Sequence, residues 1–68
     1  MKSHLSIIRY FAYEHLPPHL QAISKPFCDL AFSTHERYLI NDVDVDETLA
    51  GLRKLLEAKD AIVRSLLT

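Results

Sequence analysis

The chain has one glycine, one cysteine, three prolines and no tryptophan in 68 residues, and each scarcity excludes something. A single glycine, Gly51, cannot build a Gly-rich phosphate-binding loop. A single cysteine, Cys28, can form no internal disulfide and lacks the second thiol of a zinc or redox motif, so nothing points to an oxidising compartment. Continuous apolar runs are short, as in Ile7-Ile8 and Leu66-Leu67, which leaves no signal-peptide core and no membrane span. A cytoplasmic location is expected. A surplus of positive charge is lacking too: 8 Lys and Arg face 9 Asp and Glu, for a formal net charge of −1. Duplex nucleic acid, whose non-specific grip comes from neutralising several phosphates, is therefore not an expected partner.

What is present is a small domain, 49% apolar by side chain. A chain this short buries only about 60% of the surface its unfolded form exposes, so self-association is the expected route to stability. Charge is spread unevenly. Residues 1–35 sum to +1, residues 36–46 to −3 and residues 47–68 to +1, so the acidity collects in one connector.

The periodicity predicts an all-α helical hairpin behind a short N-terminal arm, as one domain over residues 1–68. Leu49, Leu52, Leu56, Val63 and Leu66 recur at helical spacing, with Leu55, Ile62 and Leu67 widening the stripe, and predict a long second helix over 47–67. Asp46 reads as its N-cap, Glu47 suits the positive end of its dipole and Arg64 the negative end. Gly51 weakens that helix by about 1 kcal/mol relative to alanine and offers room for another backbone. Pro17-Pro18 opens a first helix over 17–40, with Leu20, Ile23, Phe27, Leu30 and Ala31 on its apolar face and a kink expected near Pro26. The alternating aspartates of 41–46 make an acidic turn. Residues 1–16 form the arm, with 5–13 read as extended or irregular.

Several constellations invite chemistry. Asp42, Asp44 and Asp46 share the one-three-five spacing of a calcium loop, but Glu47 stands where that loop needs glycine and Arg53 where it needs a bidentate glutamate. A solvated turn with a helix cap is the better reading. His15 and His19 are four apart without a third ligand, and His4 and His35 have no partner spacing, so no metal site is expected. Cys28 sits among apolar neighbours, where free cysteines are commonly buried. Neither a catalytic constellation nor a cofactor motif emerges, and an enzyme is not expected.

Arg9, Tyr10, Phe11 and Tyr13 cluster just before the first helix. Aromatic faces stack on bases for about 1–3 kcal/mol each, and an adjacent cation attracts phosphate. The same cluster can instead pack back on the core as a hydrophobic staple.

Three stretches carry a resemblance: Phe11 to Gln21, Phe27 to Ala31, and Leu52 to Arg64. Phe11, Tyr13 and Pro17 give an aromatic, a tyrosine and a following proline. Leu55-Leu-Glu-Ala58 and Ala61-Ile-Val-Arg64 supply a helix core and its end. In these the chain resembles the helical hairpin domain of phage anti-CBASS and anti-Thoeris sponge proteins, over roughly residues 10–66. The resemblance implies a compact homo-oligomer, commonly a hexamer, that sequesters cyclic dinucleotide and cyclic trinucleotide immune messengers without cleaving them. It implies an aromatic stacking residue near the first helix, which falls on Tyr13, Phe11 or Tyr10, and a phosphate-binding lysine about four turns later. Lys25 stands at that separation from Tyr10 and one turn early from Tyr13. Arg64 suits a second pocket on a symmetry axis, and His15 and Arg9 are further candidates at phosphate. The alternative from another class is a protein interaction module that docks a partner through Ile7, Ile8, Tyr10 and Phe11.

Overall fold

A computed structural model describes residues 3–67; the arm's first two residues lie outside that range. Three helices follow one another: a 3-10 helix over Ser6–Phe11, then α1 over Pro18–Ile40 and α2 over Val45–Ser65. The last two are joined by a four-residue turn and fold back as an antiparallel pair, and the 3-10 helix packs against both. The all-α hairpin expected from periodicity is present, and no strand occurs among the described residues.

The arm is the first correction. Residues 5–13 were expected to be extended or irregular, yet Ser6–Phe11 coils into a 3-10 helix. The cause is burial: Phe11, 1% exposed, closes a cluster with Cys28, Ala31 and Leu52, and Leu5, Ile7 and Ile8 pack around it. A tight turn brings these side chains onto the hairpin together, where an extended arm would send alternate residues into water.

α1 begins where its prolines predict. Pro17 caps it, and its carbonyl accepts from the amides of Leu20 and Gln21 at 2.9 Å each. The Gln21 side chain donates back to the carbonyls of Leu16 at 2.7 Å and Glu14 at 3.2 Å, which fastens the turn over 13–17 to the helix. Pro26, where a kink was expected, does not interrupt the helix, which is continuous to Ile40. Its ring denies a donor to the Ala22 carbonyl; both residues are exposed, so water can take that bond.

The buried stripe of α1 differs from the apolar one. Leu20, Ser24, Cys28, Ala31, His35 and Tyr38 are buried, whereas Leu30 is 55% exposed and Ile23 and Phe27 are half-buried.

α2 starts two residues earlier than expected and ends two earlier. Asp44, not Asp46, is the N-cap: its Oδ1 accepts from the Glu47 amide at 3.0 Å, and its carbonyl accepts from the Thr48 hydroxyl at 2.8 Å. Asp46 and Glu47 then fall in the first turn, where the helix dipole favours both carboxylates. The acidic turn accordingly shrinks from 41–46 to 41–44.

Candidate functional site

The hairpin sorts its residues by end. Asp42, Asp44, Asp46 and Glu47 lie at the turn, the start of α1 and the last turn of α2 lie at the opposite end, and the arm runs along the hairpin with Leu5 against His35 and the Tyr10 carbonyl against Lys59. Each of the expected ligand-binding residues, Tyr10, Phe11, Tyr13, His15, Lys25 and Arg64, belongs to the arm, the first half of α1 or the end of α2.

An aromatic–cation pair forms on the arm. The Arg9 guanidinium lies 5.1 Å above the Tyr10 ring and donates to its hydroxyl at 3.1 Å, with Tyr10 itself 54% exposed. Tyr13 is half-buried beside the turn into α1, and Lys25, twelve residues on, is exposed. Lys25 Nζ donates to Asp29 Oδ2 at 2.8 Å, one helical turn along. That hydrogen bond first, then the Asp29 charge, then Tyr13, hold the lysine pKa above its ordinary value. The pair is open to water on both sides, so Asp29 is a weak competitor for an arriving anion.

The other candidates fare unequally. Phe11 is a core residue with no face left for a base, and Ile7 and Ile8 pack with it, which turns the arm's apolar side chains inward. His15 and Arg64 are exposed, Arg64 on the last turn of α2. Cys28 is buried, and burial first, then the Asp29 and Glu14 carboxylates, push its thiol pKa up, which leaves it a poor nucleophile.

Two features escape sequence reasoning. Lys59 reaches across the fold to donate to the Tyr10 carbonyl at 3.3 Å while pairing with Asp60 at 2.8 Å, and so ties the arm to α2. His35, buried at 3% exposure, accepts the Leu5 amide on Nε2 at 3.0 Å, and its ring meets His4 at 4.8 Å between centroids. Both contacts span some thirty or more residues, and a spacing rule reaches only one or two helical turns.

Among the described residues, no group of three His, Cys, Asp or Glu could hold a metal, and no helix is long and apolar enough to cross a membrane. Between α1 and α2 lies an open groove of about 300 Å³ lined by Leu30, Thr34, Glu47, Thr48, Gly51, Leu52 and Leu55. No family model, curated protein or solved structure matches the chain.

Proposed function

We propose that the protein binds and sequesters cyclic oligonucleotide second messengers, as a homo-oligomer and without catalysis, and so keeps them from the immune effectors they activate. The observation that carries this reading is the Arg9–Tyr10 pair on the arm, a guanidinium 5.1 Å from the centre of an exposed aromatic ring. An aromatic ring and a cation side by side match a base and its phosphate, and Tyr13 and the exposed Lys25 are a further aromatic and a further cation on the arm and α1. A ligand with two or three bases and as many phosphates engages several such pairs at once, which a symmetric assembly multiplies. Sequestration needs tight binding and slow release rather than bond-breaking chemistry.

The test is calorimetric titration of ligand-free protein with cyclic di- and trinucleotides, with linear dinucleotides as controls. Saturable binding of a cyclic ligand that is recovered intact supports the reading. Lys25→Ala should weaken that binding by about tenfold or more, and Asp29→Asn, which frees the ammonium, should strengthen it. Absence of heat with every nucleotide refutes it.

A further inference from the structure

The 3-10 helix of the arm is held at its two ends by different chemistry. At the trailing end, Phe11 is buried in the cluster of Cys28, Ala31 and Leu52, and the Lys59 ammonium donates to the Tyr10 carbonyl. Acid acts on neither, since a phenyl ring does not titrate and an ammonium takes up no further proton. At the leading end, the Leu5 amide donates to His35 Nε2 at 3.0 Å. Leu5 is the N-cap of the 3-10 helix, where no side chain caps the backbone, and its carbonyl accepts the Ile8 amide at 3.2 Å. One imidazole nitrogen therefore anchors the start of a helix of 6 residues, too short to keep its shape without tertiary support.

That anchor holds only while the ring is neutral. A nitrogen that accepts an amide proton carries none of its own, so the neutral ring keeps its proton on Nδ1. Protonation of Nε2 would set two donors face to face at the 3.0 Å separation. The ring lies inside the fold, with His4 at 4.8 Å on the arm and Tyr38 at 6.0 Å along α1, measured between ring centres. His4 from the arm opposes a charge on it and Glu36 from α1 favours one, while among the described residues no ionisable side chain of α2 acts on it. Burial and His4 together outweigh Glu36, so the ring resists a proton for as long as the arm is seated.

We propose that Leu5 and His35 form an acid-sensitive latch: protonation of His35 releases the leading half of the arm, residues 3–8, while Phe11 and both long helices stay in place. Release turns Leu5, Ile7 and Ile8, half-buried against the cluster, into exposed apolar side chains on a segment tethered at Phe11. Docking of any partner through Ile7 and Ile8 therefore requires the open form. Linkage sets the size of the effect: the ratio of open to closed arm rises by about tenfold for each pH unit below about 6.5, down to the pH at which the seated ring itself titrates. The latch uses none of the residues proposed for nucleotide binding, so either reading can fail alone.

Nuclear magnetic resonance of the full chain from pH 7.5 to pH 5 tests the latch. The amides of residues 5–8 should pass from rigid to mobile by heteronuclear relaxation, with the same midpoint as the His35 ring carbons, while the amides of α2 stay rigid. Cys28, in the cluster that Phe11 closes, should remain unreactive to an aromatic disulfide that attacks thiols in acid. His35→Gln, which keeps an acceptor and cannot titrate, should hold residues 5–8 rigid at pH 5. If that variant does not fold, the coincidence of the two midpoints in wild type carries the test. Three results overturn the proposal: an arm that stays rigid after His35 has titrated, a release midpoint that departs from that of the ring, or Cys28 and α2 opening at the same pH as the arm, which is unfolding of the whole chain.

Discussion

The two flanks of the hairpin solve opposite problems. On the flank covered by the arm, polar residues are buried among apolar ones: His35 and Ser24 lie inside with Phe11, Cys28, Ala31 and Leu52. On the groove flank, apolar residues face water: Leu30 at 55% exposure, with Leu55 half-buried beside the open floor of Gly51. His35 is tolerated inside because the arm supplies it with a donor, the Leu5 amide. Leu30 has no such arrangement on its own chain. The contrast teaches that this chain completes one flank by itself and leaves the other open.

Truncating one side chain on each flank should break this contrast most widely. Phe11→Ala should cost about 3–5 kcal/mol, because it empties the centre of the cluster and releases the arm with it. For a chain this size that loss is enough to leave a large unfolded fraction at room temperature. Leu30→Ala in dilute solution should change the unfolding free energy from urea titration by no more than about 0.5 kcal/mol. Equal losses at the two positions would show that the flanks are alike and that the arm is not the organiser of the core.

The fold was legible where local physics decides it. The proline pair marks the start of α1 to within a residue, and the leucine spacing of α2 locates a helix whose buried centre is indeed Leu52. The cap was misplaced by two residues because Asp42, Asp44 and Asp46 are chemically alike, and only the bond from the Glu47 amide selects Asp44. The buried stripe of α1 was misread for a different reason. Periodicity ranks residues by apolarity, and here a histidine and a serine are drawn inside by the arm while Leu30 is left out. Of the candidate site, the placement of Tyr13 beside the start of α1 depends on how the turn over 13–17 is fastened by Gln21, and the loss of Phe11 to the core depends on the arm coiling back. Both are tertiary events that no window of sequence contains.

Acid should loosen the covered flank and leave the groove flank unmoved. His35 accepts a backbone amide on Nε2, so that nitrogen is unprotonated in the folded chain. Burial first, then the nearby His4, lower its pKa, with Glu36 opposing them; the Tyr38 ring lies 6.0 Å away. A histidine whose folded pKa lies below its unfolded value contributes stability that is fully present above the unfolded value, about 6.5, and is lost as pH falls from there through the folded value. Urea unfolding at pH 7.5 and pH 5 should therefore differ in favour of the higher pH, and the protection of the Leu5 amide from hydrogen exchange, taken relative to its intrinsic rate at each pH, should fall in acid. His35→Gln, which keeps an acceptor but cannot titrate, should flatten this dependence at a cost on the order of 1 kcal/mol. An unchanged slope in that variant would place the acid sensitivity elsewhere.

The smallest effects should be gains, one on each flank, and they separate the two designs most cleanly. Ser24 Oγ is buried and has no hydrogen-bond partner, so Ser24→Ala removes an unpaired hydroxyl from the covered flank and should stabilise the chain by up to about 1 kcal/mol at any protein concentration. Gly51→Ala on the groove flank should also stabilise the single chain, by about 0.5–1 kcal/mol of helix propensity, since the added methyl meets nothing. Additivity tests whether the flanks are independent. Because a Cβ at position 51 meets nothing within 4 Å, the two gains should sum in the double variant to within about 0.5 kcal/mol, and a sum well short of the two single gains would show that the covered flank and the groove flank are coupled.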